Sequence, residues 1–435
     1  MLFENNCVIL HRKQELLYNY NQKKEMKKIF TLVLSLATLM PAMAEDLSEH
    51  DANDVIGWAA VGKTTGGQDK NAVTVTNYTE FKNALNNKTR PLTIYIDGEI
   101  TMEQRLYVKN GNLTIYGKPG AKLVNPANTK STYNKSGVLY FQDAKNVIFR
   151  NVVFSCGGAF DVGGYDCLCL ESCDNFWIDH CEFYDGMDGN VDIVEGTDHV
   201  TFTWCKFGYK LPPISTGKEE AADHRFSNLI GNNDGMTSDN GHLRITFSNC
   251  WWSEGCVERM PRVRFGQVHV ANCLYSSPDT KYCFGVGYMS KIYAEGNAFT
   301  SDAAKANIWK YPNTKSQEAH HFKLVNCVGA DDIDLAKGSE EHFDPSTAYS
   351  DVEVYSASLV EATVSHYAGA TLTEEQLTSR GKPTAVANVS ESSEVRSVEY
   401  YAIDGVQLAS PKSGITLRKT TKADGKVVTE KIIMK

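Results

Sequence analysis

Positive charge is in short supply along this chain, where 44 lysines and arginines stand against 53 aspartates and glutamates, a net charge of −9. Such a balance disfavours nucleic acid as a partner, and an acidic ligand would need local basic residues or a bound cation to draw it in. Proline is scarce too, with 12 residues beside 33 glycines, and charged residues reach only 22% against 42% hydrophobic ones. That composition excludes a disordered chain and leaves apolar surface for a long core. Zinc-type cysteine spacing is missing, since Cys167-x-Cys169-x-x-x-Cys173 is not a usual ligand set. The apolar run from Ile29 to Met40 is too short for a membrane span.

That run has a different reading. Met26-Lys27-Lys28 precedes it and Pro41-Ala42-Met43-Ala44 follows, giving a basic n-region, an apolar h-region and an Ala-x-Ala cleavage site. Residues 26–44 are therefore expected to be a signal peptide, with residues 1–25 an extended leader. The mature chain is expected to be exported (secreted, periplasmic or at the cell surface), monomeric, and without a stable membrane span. Twelve cysteines would suggest disulfides in an exported chain, but losing Cys7 leaves an odd eleven.

An internal repeat supplies another role for them. A run of alternating apolar residues ends in Cys or Asn, any residue, then an aromatic. It appears as Phe176-Trp177-Ile178-Asp179-His180-Cys181-Glu182-Phe183 and again around Cys205-Lys206-Phe207, Cys250-Trp251-Trp252, Cys273-Leu274-Tyr275 and Asn297-Ala298-Phe299. Val152-Val153-Phe154 fits upstream. The closing aromatics lie 29, 24, 45, 23 and 24 residues apart. A β-branched, period-two segment cannot bury its face alone, and coils of roughly 20–30 residues stack as a solenoid. The expected fold is all-β, a single-stranded parallel β-helix over residues 45–370, with the 45-residue gap holding one coil plus an insertion near 212–224. Cys181, Cys205, Cys250, Cys273, Asn297 and Cys327 would then form one buried ladder, about 4.8 Å per step. Disulfides between rungs stay open. Residues 371–397 read as a linker and 398–435 as a small C-terminal β tail for sorting, anchoring or capping, too short for a catalytic domain.

Two clusters could carry chemistry. Asp166 precedes Asp188-Gly189-Asn190-Val191-Asp192 by one rung, and three carboxylates on neighbouring turns suit a hard cation such as calcium. Taken alone the pattern also describes a solvated turn. The second cluster, Arg259-x-Pro261-Arg262-x-Arg264, places guanidinium groups along a strand, suited to carboxylate recognition. Its bland counterpart is a salt-bridge network with Glu254 and Glu258.

Trp177-Ile178-Asp179-His180, Asp188-Gly189-Asn190-Val191-Asp192, Asn228-Leu229-Ile230-Gly231, Asp239-Asn240-Gly241-His242-Leu243-Arg244-Ile245-Thr246 and Arg259 to Val270 occur in one order. Together with Gly57-Trp58-Ala59-Ala60 and Thr64-Thr65-Gly66-Gly67, they resemble polysaccharide lyase family 1, the pectate lyases, over about residues 55–370. The resemblance implies a right-handed parallel β-helix, with Asp166, Asp188 and Asp192 as calcium ligands, Arg259 as the base and Arg264 as a binder of substrate carboxylate. It also implies β-elimination in de-esterified α-1,4-polygalacturonate, giving 4,5-unsaturated oligogalacturonates. Arginine is held protonated in water, so a role for Arg259 as electrostatic clamp stands beside that of base. The family's lysine five residues before the Gly of Leu-Ile-Gly is Phe226 here; Arg225, or Lys210 or Lys218, would have to replace it. Trp177, Asp179 and His180 are expected to serve the scaffold.

Three rivals remain at this level. A pectin lyase acting on methyl-esterified chains would lack the three aspartates. A hydrolase would need paired carboxylates, for which Asp331-Asp332 is the late candidate. A β-helix that only binds acidic polysaccharide would have no need of Arg259.

Overall fold

The computed structural model describes residues 54–378, apart from 161–162, 215–222, 318–319 and 331–342, together with the tail strands 395–401, 407–408, 414–422 and 427–434. The predicted signal, Lys218 and Asp331-Asp332 lie outside the described residues. Two compact units divide the chain, 1–381 and 382–435.

In the larger unit eight successive rungs contribute a strand each to three parallel sheets, of ten, eight and eight strands, the ten-stranded one having an extra strand at each end. The repeat occupies the ten-stranded sheet: Lys145–Arg150, Asp174–Asp179, Asp198–Thr203, Arg244–Ser248, Gln267–Ala271 and Ser290–Glu295 are consecutive neighbours there. Each strand turns a corner at its Cys or Asn and enters the second sheet with its aromatic. The fold is thus the parallel β-helix that the repeat predicts. Short strands, one per sheet per rung, have too few residues to stand alone and gain stability only by stacking.

Stacking is visible in the core. The rings of Phe154, Phe183, Phe207, Trp252, Tyr275 and Phe299 follow one another at 4.7–5.6 Å between centroids, nearly parallel at every step. Phe207 neighbours Trp252, so the 45-residue gap is one coil plus an insertion. The cysteine ladder forms as a row of free thiols: Cys250 N donates to Cys273 Sγ at 3.3 Å and Cys273 N to Asn297 Oδ1 at 2.7 Å. All eleven described cysteines are unpaired. Thiols fill the corner because they are small and tolerate burial.

The ends are closed by other means. Helix Tyr78–Asn86, capped by Asn77 accepting from Glu80 N, buries Tyr78, Phe81 and Leu85 in the main core. Gly57–Val61 lies on the ten-stranded sheet, with Trp58 N and Ala59 N donating to Thr246 and Thr201. On the flank of an early rung, Arg150 Nη1 donates to Leu377 O at 3.0 Å and Leu372 N to Asn151 Oδ1 at 2.8 Å, so residues past 370 still pack on the β-helix. The smaller unit is a four-stranded antiparallel sheet. No helix among the described residues is long and apolar enough to cross a membrane.

Asp179 ties the scaffold internally. It bonds His180 Nδ1 at 2.9 Å, accepts from Thr203 Oγ1 at 2.6 Å and pairs with Arg150 at 2.8 Å, fully buried, while Trp177 Nε1 donates to Thr203 Oγ1 at 2.9 Å. Phe247, buried between Phe202 and Trp252, is the ring whose loss should be felt on both sides. Phe247→Ala is expected to lower stability by about 3–5 kcal/mol, read as a reduced midpoint in denaturant titration.

Candidate functional site

The third sheet and the turns entering it from the second hold the candidate residues. Asp192 lies on Val191–Val194, which pairs with Leu168–Glu171 so that Cys169 faces Asp192. Asp166 stands just before the latter strand and Asp188 in the turn before the former. Gly189 makes the approach feasible, because a Cβ there would lie 2.7 Å from Asp166 Oδ1. Burial, then repulsion from Asp192 and Asp188, lifts the Asp166 carboxyl well above the ordinary range, against the pull of Arg259. Asp192 is pushed up to about 7 by burial, with Arg259 and Arg264 opposing and Asp188 adding to the rise.

The arginines converge on the same place from later rungs. Asn228–Ile230 separates Val191–Val194 from Arg262–Val263, and Leu229 faces Asp192 on one side and Arg262 on the other. Arg259 sits in the preceding turn at φ 62, in the left-handed region. Its guanidinium lies 4.0 Å from the Phe226 ring centroid, and its buried Nε has no hydrogen-bond partner. Arg262 is pushed down to about 10 by burial, reinforced by Arg264 and Arg259, and its Nε is also unpartnered. Arg264 is anchored: Nε pairs with Asp234 at 2.7 Å, and Nη1 donates to Gly231 O at 2.8 Å and Asn232 O at 3.1 Å. Gly231, at φ 83, admits this, since a Cβ would meet Arg264 Cβ at 2.9 Å. No ion pair links these arginines to Glu254 or Glu258 among the described residues, so the salt-bridge network weighed from sequence does not form.

Arg225 and Lys210 are placed differently. Two bonds of 2.8 Å to Asp223 and one of 3.0 Å to Asp279 engage the Arg225 guanidinium, raising its pKa further. Lys210 Nζ lies 3.3 Å over the Tyr184 ring. The charges acting on Asp192 belong to Arg259, Asp188 and Arg264. Sequence reasoning gave no role to His224, whose Nδ1 is 3.3 Å from Asp188 Oδ1 and whose ring leans on Phe226 at 5.1 Å. It also passed over Asp234 as the anchor of Arg264. The one available signal for Arg262 was its parity with Arg264, which strand alternation turns into a shared face.

The site therefore holds two sets of charge that leave each other partly uncompensated. The acidic set is oxygen-only, the donor chemistry of a hard divalent cation. Among the described residues no group of three His, Cys, Asp or Glu side chains is assembled to hold a metal ion by itself. The donors fit such an ion in kind, with the remainder of its shell left to water or ligand. The basic set suits carboxylates.

A parallel β-helix that gathers carboxylates and arginines along one sheet and its turns defines a class of solenoid protein suited to an acidic ligand. The pectate lyase family model matches residues 29–372, and the chain belongs to that family. It is 32% identical over 194 residues to the pectate trisaccharide-lyase of Thermotoga maritima, covering 42% of this chain and 45% of that protein. The chain thus aligns with about half of that relative's length. With the Bacillus subtilis pectate lyase it shares 28% identity over 361 residues, covering 62% and 82%. Among solved structures, an arginine-to-lysine mutant of a B. subtilis pectate lyase matches at TM-score 0.54 and 23% identity, over 73% of this chain and 97% of that one, a likeness of fold.

The raised Asp192 has a measurable consequence. It titrates at about 7 in the folded protein and at about 3.9 when unfolded, so between those values the folded state holds the extra proton. Stability of the metal-free protein should then fall as pH rises from about 4 through about 7 and level off above. Asp192→Asn is expected to flatten that slope, seen in melting temperatures across pH with chelator present; an unchanged slope would contradict the assignment.

Proposed function

We propose that the chain is an exported, calcium-dependent pectate lyase that cleaves de-esterified α-1,4-polygalacturonate by β-elimination. The observation that carries this reading is the approach of Arg259, with no ion-pair partner among the described residues, to the buried carboxylates of Asp166 and Asp192, with Arg262 two rungs from Asp192 on the same sheet. An anionic ligand together with a cation relieves both sets, and a uronate presents such an anion on every sugar. A methyl ester would leave the arginines without a charge to bind, which favours the free acid. The names of the relatives point to the same substrate class. Export rests on residues 26–44 and their signal-like order.

Asp166, Asp188 and Asp192 would hold calcium, which when bound supplies positive charge to protein and substrate carboxylates alike. Arg264, rigidly held by Asp234 and two carbonyls, would orient a substrate carboxylate. Arg259, acting in its neutral form, takes the C5 proton, whose acidity comes from the adjacent carboxylate. The C5–H electron pair becomes the C4=C5 double bond as the C4–O bond breaks, and the departing glycosidic oxygen takes a proton from water. Arg259 then returns its proton to solvent. The buried surroundings reduce water's competition for these charges.

The Phe226 ring beneath Arg259 favours a second role for that side chain, because an aromatic face stabilises a cation. In that reading Arg259 clamps the developing charge while solvent hydroxide takes the proton. The two roles differ in pH dependence: a base loses activity as it protonates, whereas a clamp needs the protonated form.

Protein with de-esterified polygalacturonate and calcium is expected to produce the ultraviolet absorbance of an unsaturated uronate, and chelator should abolish it. Reducing ends formed without that absorbance would sink the lyase reading. Arg259→Ala is expected to lower kcat by about 10²–10⁴-fold with an unaltered melting curve.

A further inference from the structure

The row of residues that contains Asp192 and Arg262 does not stop at them. Register along the third sheet runs Tyr107, Tyr140, Cys169, Asp192, Leu229, Arg262, each facing the next across one rung. At about 4.8 Å per rung, Tyr140 lies roughly 10 Å and Tyr107 roughly 14 Å from Asp192 along one sheet face. Tyr107 is 59% exposed, the most open large apolar side chain of the third sheet's own strands.

It is not loosely held. The Arg105 guanidinium lies 4.9 Å from the Tyr107 ring, 4.7 Å from Tyr140 and 3.5 Å from Tyr165, and Nη2 donates to Tyr107 Oη at 2.7 Å. One cation thus braces three aromatic rings. Arg105 is 92% buried by its 8% exposure, its Nε has no hydrogen-bond partner, and no carboxylate pairs with it among the described residues. The nearby Glu171 carboxylate is already engaged by Gln142 Nε2 at 2.7 Å and by Tyr140 Oη. The folded protein therefore presents a rigid ring face and an uncompensated cation on the same line as the reaction site.

We propose that Tyr107, Tyr140 and Arg105 form a distal subsite for a galacturonate residue of the substrate chain, several sugars away from the bond that is cut. The inference rests on the polygalacturonate reading above and adds a length requirement to it. The apolar face of a sugar ring would lie on Tyr107, which offers a large contact surface with little conformational freedom to lose. Arg105 would add long-range attraction for the carboxylate across its brace. A trimer seated over Asp192 and Arg262 falls short of this shelf, whereas a long chain covers both.

The test compares wild type, Tyr107→Ala and Tyr107→Trp in native gels cast with polygalacturonate, and in steady-state kinetics on polygalacturonate and trigalacturonate. Tyr107→Ala is expected to weaken retardation and raise KM on the polymer about tenfold, with kcat and the trimer KM within about twofold. Tyr107→Trp keeps the ring face and should restore the polymer KM. Equal retardation of Tyr107→Ala and wild type, or the same KM change on both substrates, would overturn the subsite alone. A wild-type protein that is neither retarded nor able to form unsaturated product would overturn the functional reading itself.

Discussion

Backbone hydrogen bonding from rung to rung is the constraint on which this protein depends. Each strand is two to six residues long in the three sheets, too short to persist in isolation, and its partners are the equivalent strands of neighbouring coils. The ladder holds register strictly because a slip of one residue would exchange the buried and outward faces along a whole strand. Everything else follows from that lock. Rings stack because register puts like above like, and cysteines line a corner for the same reason.

The same lock assembles the site. Asp192, Leu229 and Arg262 are far apart in sequence and become neighbours because three strands share a face. The turns feeding that sheet then bring Asp166, Asp188 and Arg259 to its edge. Burial raises the free energy of each unpaired charge, and the fold bears that cost where a ligand can relieve it. Within the ten-stranded sheet, by contrast, Asp179 has Arg150, His180 and Thr203, and Asp198 has Arg244. The contrast between compensated scaffold charges and uncompensated site charges separates the two roles of polar residues in this β-helix.

Much of this was legible in the linear chain. The aromatic repeat marks the corner between two sheets, and its 45-residue interruption is one coil plus an insertion. The strands before Lys145–Arg150 do not carry the Cys-x-aromatic pattern, and the third sheet has only short segments with no repeating residue type, so neither announces itself by periodicity. The acidic and basic clusters were readable as residue types at suggestive spacing. Their pairing was not: Arg264 chooses Asp234, thirty positions upstream, and Arg225 adds Asp279, 54 positions on, to its near neighbour Asp223. A short-range reading of charge sees nearby glutamates, whereas a solenoid makes residues one coil apart the closest neighbours.

By itself the sequence determined the period of the coil, the apolar face of each strand and the residue types at its corners, because burial and alternation are local demands on side-chain chemistry. It likewise carried the ordered motifs by which the family is recognised. Only the tertiary structure decided which charges meet, which stay uncompensated, and that Arg264 and His224 stand around the same acids as Arg259, with Phe226 beneath that arginine. The reason is physical: electrostatic energy depends on distance and burial in space, and in a stacked coil both are set by register between rungs.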